Sequence, residues 1–235
     1  MVQASGAVAT VTGISSMATR PLLARLAALY EHETAARVSI TSIGGVDAAR
    51  QVRNGEPFDF VVLASDAIEQ LAADGHVDAC SRVDIARSGI AVAVASGATR
   101  PEIGTEAALR DAILRAGRIG YSTGPSGMHL TRLFVRWGIA DAIAPRIVQA
   151  PPGVPVGQLI AAGDVELGFQ QLSELMHAPG IDVAGALPDE VQAVTVFAAA
   201  ICGTASDRAA AARFLAYLAS PQADCVKSQY GMARA

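Results

Sequence analysis

Four short stretches place hydroxyls, amides or glycines where a strand-like run hands over to a helical one. They are Gly13 to Ser16 in "GISS", "SIGGVD" (42–47), "STGPSGMH" (122–129) and "FQQLSE" (169–174). The chemistry this pattern offers is the binding of an anion. A helix N-terminus carries N–H donors with no partner inside the helix, together with the positive end of a dipole, so a negatively charged group is stabilised there. Ser15, Ser16 and Ser126 add hydroxyl donors. Gly44, Gly45 and Gly127 let backbone amides approach a ligand with no side chain in the way. Gln170 and Gln171 carry a donor and an acceptor each. Any one junction has an ordinary explanation, because a single serine is enough to cap a helix. Fourfold repetition is what favours a ligand.

Charged residues near the same junctions extend the reading. Taken singly, Arg20 and Arg87 read as solvated surface charges; beside these loops they offer planar forks for a carboxylate. His129 falls one turn into a helix and reads equally as a ligand contact or a surface residue. His129, Asp47 and Glu174 are the side chains in these loops that could act as a base if the site does chemistry. Asp47 also reads as the N-cap of a helix at 47–54, and Glu174 as a carboxylate facing water.

Other chemistries find no support. "GPSG" (124–127) is one residue short of a nucleophile elbow, and neither GxGxxG nor GxxxxGK[ST] occurs. His32, His76, His129 and His177 have no metal-ligand spacing with each other or with cysteine, so neither metal nor cofactor is expected. Cys80, Cys202 and Cys225 form no CxxC pair and read as thiols in a structural role. With aromatic residues at 5%, stacking platforms for a sugar are scarce.

The elements that must hold these loops alternate in type. "VATVTG" (8–13), "RVSITSI" (37–43) and "FDFVVLA" (58–64) predict buried strands, and apolar spacing predicts helices at 17–33, 46–54 and 66–74. Two long strands are expected at 84–97 and 192–203. Between them lies a second set: helix 105–116, strand 118–123, helix 126–138, strand 146–150, helix 155–163 and strand 164–170. The tail predicts helices at 206–219 and 221–231. A chain that leaves one α/β lobe along a long strand and returns along another implies two lobes, 1–86 with 198–235 and 87–197. In open sheets of this kind ligands gather beyond the carboxyl ends of the strands, so the four loops are expected to converge on one inter-lobe cleft.

Composition agrees with a folded protein that binds something small. Hydrophobic residues make up 51% of the 235 and charged ones 17%, which excludes disorder. The net charge of -4, with signs interspersed, argues against nucleic acid or an anionic membrane as partner. No window is long and apolar enough for membrane insertion. Residues 1–12 lack the basic start and apolar core of a secretory leader. The expected location is therefore periplasmic if a leader once preceded this chain, and cytoplasmic otherwise.

Four segments, "GISSMATRPLLARLAALYE", "SIGGVDAARQVRNGEPFDFVVLAS", "IGYSTGPSGMHLTRLF" and "GQLIAAGDVELGFQQLSEL", resemble the molybdate-binding-protein-like branch of the type II periplasmic substrate-binding proteins. The resemblance runs from about residue 8 to about residue 220. It implies an α/β fold of two lobes, each an open mixed sheet flanked by helices, joined by a two-strand hinge and closing over a small oxyanion held by hydroxyls and amides. It assigns Ser15 or Ser16 to the first serine of that site, Gly45 and its neighbours to the second loop, and Ser126 with Gly127 to the third. Two places depart from the pattern: Gln170 and Gln171 stand where a tyrosine is usual, and "SIGG" replaces a serine pair. The expected ligand is accordingly a small organic di- or tricarboxylate rather than molybdate, with an ABC permease as partner if the protein is exported. The same superfamily includes proteins resembling aconitate isomerase, so the alternative expectation is isomerisation of a small tricarboxylate by allylic proton transfer in the same cleft.

Overall fold

The computed structural model describes residues 10–235; residues 8 and 9 of the first expected strand lie outside them. In chain order the first elements are β1 (Thr10–Ser16), α1 (Arg20–Thr34), β2 (Arg37–Ile43), α2 (Gly45–Arg53), β3 (Phe60–Ala64), α3 (Ser65–Ala73) and the long β4 (Val83–Ala95). Then come α4 (Glu106–Arg115), β5 (Ile119–Tyr121), α5 (Pro125–Arg136), α6 (Ala140–Ile143), β6 (Ile147–Gln149), α7 (Val156–Ala161), β7 (Leu167–Gln171), α8 (Leu172–Leu175) and β8 (Ile181–Ala186). The second long strand β9 (Val194–Ile201) leads to α9 (Arg208–Leu218) and α10 (Pro221–Gln229).

The chain divides into two compact units. One takes in the described residues up to Ala86 with Phe197–Lys227 and Ala235; the other takes in Arg87–Val196 with Ser228–Arg234. β4 and β9 each run from one unit into the other, and α10 carries the chain across a third time. Residues 228–234 therefore belong with the second unit instead of with the rest of the tail. The physical reason is pairing: the Arg87 backbone exchanges two 2.9 Å hydrogen bonds with Ala233, and Ser88 Oγ donates to the Gly231 carbonyl at 3.1 Å.

In the first unit β2, β1 and β3 run parallel and β9 closes on β3 antiparallel. β3 is buried along its whole length, as a central strand with helices on both faces requires. α1 buries Leu22, Leu23, Leu26, Ala27 and Tyr30, spaced to form one apolar stripe. Tyr30 meets Phe214 and Tyr217 of α9 at ring-centroid distances of 5.1 Å each. β1 continues past Gly13 to Ser16, three residues beyond the expected end. Gly13 is there because the Phe60 ring lies over it, and a Cβ would stand 2.2 Å from that ring; it does not mark a turn.

The opposite end of β1 is pinned by a buried carboxylate. Asp59 accepts from Thr12 N–H (2.8 Å) and Thr12 Oγ1 (3.0 Å), and from Ser206 N–H (2.8 Å), Ser206 Oγ (2.9 Å) and Asp207 N–H (3.3 Å). Burial alone would raise its pKa, but these donors together outweigh it and hold the group below its ordinary value.

In the second unit β5 pairs parallel with β6 and β7, and β4 pairs antiparallel with β7 and β8. One face packs Tyr121, Leu130, Phe134 and Phe169; the other packs Val156, Ile160, Val165 and Leu175. β8 and α6 had no counterpart in the expected elements. "IDVAGA" carries an aspartate and a glycine that break strand alternation, and its ladder with β4 shifts register between Val92 and Ala93. Among the described residues no helix is long and apolar enough to cross a membrane.

Candidate functional site

In each unit the parallel strands point the same way, so their carboxyl ends, and the helix starts that follow, share one edge of the sheet. In the first unit that edge begins with Ser15 and Ser16, the last residues of β1. Ser15 is fully buried, and its Oγ lies 2.8 Å from Oγ of Ser42, its register partner on β2. Ser16 is 8% exposed, and its hydroxyl has one long contact, 3.5 Å to Thr19 Oγ1. The Thr19 hydroxyl itself donates to the Ser16 carbonyl at 3.1 Å. Ser16 occupies the N-cap position of the 3-10 turn Met17–Thr19 that leads into α1, yet its side chain makes no capping bond. The ordinary capping role is thus not taken up there.

Gly45 adjoins Ser16: a Cβ at position 45 would lie 3.7 Å from the serine Cβ, an ordinary contact. α2 starts at Gly45 with Gly44 as N-cap and no side-chain cap bond. This places Asp47 as the third helical residue and not the N-cap, and its carboxylate pairs with Arg50 at 2.6 Å. Arg20 opens α1 and is exposed.

In the second unit Ser126 is 1% exposed, and its Oγ lies 3.2 Å from Ser122 Oγ, which also accepts from the Gly124 N–H at 3.3 Å. α5 begins at Pro125 with Gly124 as N-cap and no side-chain cap bond. Gly127 has a packing reason of its own, since a Cβ would collide with the Ser122 carbonyl oxygen at 1.7 Å. His129 is half-buried and its Nε2 lies 2.8 Å from the Val191 carbonyl.

The β7 end differs. Gln171, 2% exposed, has Oε1 accepting from Thr195 Oγ1 at 2.8 Å and Nε2 donating to the Ser88 and Gly89 carbonyls at 2.9 and 3.2 Å. Gln170, 3% exposed, accepts from the Val156 N–H at 2.9 Å and donates through Nε2 to Glu174 Oε1 at 2.6 Å. Burial pushes the Glu174 carboxyl up to about 8, against a smaller lowering by the Gln170 donor. Arg87 is exposed on β4, and among the described residues the side chains of Arg20 and Arg87 make no ion pair.

Each unit thus gathers its own set: Ser15, Ser16, Gly44 and Gly45 in the first, Ser126 and Gly127 in the second. Gln170 and Glu174 form a linked pair, Gln171 is spent on neighbouring backbone, and His129 is tied to the turn before β9. Ser42 and Ser122 fall inside the expected loops but were not singled out as site residues, and Thr19 lies outside those loops. The register of β1 with β2 is the signal that would have found Ser42.

The N-cap residues also differ between helices, although α6 lacks a side-chain cap bond as well and the first amide of α7 is taken by Gln170 Oε1. α4 and α9 start away from that edge, and their first amides are taken by Thr105 Oγ1 (3.2 Å, to Ala108) and Asp207 Oδ1 (2.8 Å, to Ala210). α2, α3, α5, α7 and α8, which follow the carboxyl ends of β2, β3, β5, β6 and β7, have no side-chain cap bond.

Residues 11–233 match the family described as bacterial extracellular solute-binding protein. The chain belongs to this family. An aconitate isomerase from a Pseudomonas species is 37% identical to this solute-binding protein over 223 residues, 92% of this chain and 84% of the relative. The molybdate-binding protein ModA of Azotobacter vinelandii is 27% identical over 214 residues, covering 88% and 82% of the two chains. The solved structure of the Azotobacter vinelandii periplasmic molybdate-binding protein superposes with a TM-score of 0.80 at 22% identity, over 95% of this chain and 98% of that one. The fold is therefore that of the type II periplasmic substrate-binding proteins.

Proposed function

We propose that this solute-binding protein captures a small organic di- or tricarboxylate, held by hydroxyl and amide donors of the strand-to-helix loops. The observation that carries the reading is the set of donors the fold leaves under-used: the Ser16 hydroxyl, with a single 3.5 Å neighbour, beside Gly45 at the uncapped start of α2, and Ser126 at the uncapped start of α5. Uncharged donors suit an anion in a chain whose net charge is -4. A carboxylate is favoured over a tetrahedral oxyanion by the "SIGG" loop, by exposed Arg20 and Arg87, and by the 37% identity to an aconitate isomerase. Acting outside the cytoplasmic membrane, the protein would deliver its ligand to an ABC permease.

The same identity favours a second reading, isomerisation of the bound tricarboxylate. A base would take a proton from the methylene carbon, the C–H electrons would form the new double bond, and a proton would return to the former vinylic carbon. Nothing is oxidised or reduced.

Thermal-shift titration with citrate, trans-aconitate, tricarballylate, molybdate and sulfate tests the binding proposal. A ligand at a hundred times its Kd stabilises the native state by about 2.7 kcal/mol. Tricarboxylates should raise the melting temperature; a shift with molybdate or sulfate alone would overturn the reading. Proton NMR of trans-aconitate incubated with the protein separates the two readings, since only an isomerase produces the cis signals.

A further inference from the structure

We propose that Glu174 is a ligand-binding residue that acts as a neutral acid, its Oε2–H donating to a carboxylate of the bound anion while Gln170 holds Oε1. This rests on the carboxylate-binding reading above and names a donor for it. The geometry fixes the roles in sequence. The Val156 N–H donates to Gln170 Oε1 (2.9 Å), which leaves the amide only one orientation. Its Nε2 must then point at Glu174 Oε1 and donates to it (2.6 Å). When the acid is neutral, the oxygen that accepts from the amide is its carbonyl oxygen, which leaves the proton on Oε2. Oε2 has no partner among the described residues, yet it is not one of the enclosed unpaired atoms, which are Arg82 Nε and Ser173 Oγ. It therefore reaches accessible space and can donate outward.

Position supports a ligand as the acceptor. Tyr121 of β5 is paired with Phe169 of β7, which puts Gln170 level with Ser122 at the carboxyl edge of the parallel strands. That is the edge where Ser126 and the start of α5 lie.

Among the described residues no cation forms an ion pair with Glu174. Of the elements packed against α8, β7 and α7 contain no titratable residue, and β8 contributes Asp182, which faces Ser96 Oγ, the Gly97 N–H and Arg100. His177 lies 2.8 Å from the Gln229 carbonyl and against Tyr230, and residues 228–234 also bring Arg234. Desolvation pushes the Glu174 carboxyl up to about 8, against a smaller lowering by the Gln170 donor, which agrees with a neutral acid at pH 7.

The test is the Kd for tricarballylate, a saturated tricarboxylate that cannot isomerise and is fully ionised above neutrality, measured by calorimetry from pH 7 to 9.5. Wild-type affinity should fall about tenfold per pH unit once Glu174 ionises, as linkage requires of a donor that becomes a repelling charge. Glu174→Gln keeps an N–H donor and should bind with little pH dependence. Gln170→Met removes the hydrogen bond that favours ionisation and should move the midpoint of the fall to higher pH, a displacement that loss of packing alone would not produce. A flat wild-type profile, or a fall retained in Glu174→Gln, overturns the assignment while leaving carboxylate binding intact. Failure to bind tricarballylate at any pH, with binding of molybdate or sulfate alone, overturns both proposals.

Discussion

The serine end of β1 and the glutamine end of β7 look alike in sequence: two adjacent polar residues close a buried strand just before a helix. Their hydrogen bonds tell them apart. Gln171 spends its amide on Thr195 and the Ser88 and Gly89 carbonyls, and Gln170 is fixed between Val156 and Glu174. Ser16 has one 3.5 Å contact. A buried polar group with satisfied bonds is a structural tie, and one left under-used beside uncapped amides is available to a guest. Asp59, at the other end of β1, takes the satisfied case furthest, with five donors on one carboxylate.

The largest expected effect comes from that extreme. Asp59→Ala strands donors of β1 and of the loop before α9 and should cost about 3–5 kcal/mol in urea unfolding. Because the folded-state pKa of Asp59 is depressed, its stabilisation is present above the unfolded value, about 3.9, and is lost as pH falls through the folded one. The wild-type acid transition should therefore be steeper than that of Asp59→Asn. Next, Gln171→Leu leaves two carbonyls and a hydroxyl unpaired and should cost about 2–3 kcal/mol of stability, with the tricarballylate Kd unchanged. A change in Kd without loss of stability would reverse the assignment of the two ends.

Ser16→Ala should do the opposite. Stability should change by about 0.5 kcal/mol or less, while the loss of a hydrogen bond to a charged ligand weakens binding by about 1.5–3 kcal/mol, roughly 10- to 150-fold in Kd. The smallest effect sharpens the contrast in capping: Thr105→Ala at α4 should cost about 1 kcal/mol of stability and nothing in affinity. For Glu174, whose folded pKa is raised, stability is fully present below the unfolded value and declines as pH rises to about 8. Unliganded Glu174→Gln should not show that decline in thermal melts.

Much of the scaffold was legible in the sequence because strand and helix periods are local properties. The long strands β4 and β9, the parallel runs and the glycine-bearing junctions could all be read from "SGIAVAVA", "AVTVFAAAI" and "SIGGVD". What escaped depends on distant partners. Gly13 reads as a turn until Phe60 is seen lying over it, 47 residues later. The Asp59 staple joins residues separated by 47 and by 147 positions. Glu174, in "LSEL", carries the pattern of a surface residue, and its desolvation comes from the fold around α8. β8 was invisible because its alternation is broken and its support comes from β4.

The return of residues 228–234 to the second unit limits how that unit can be dissected. A fragment cut at 87–196 would lack the partners of the Arg87 peptide and the Ser88 hydroxyl, so an isolated half would need this heptapeptide spliced back on through a loop.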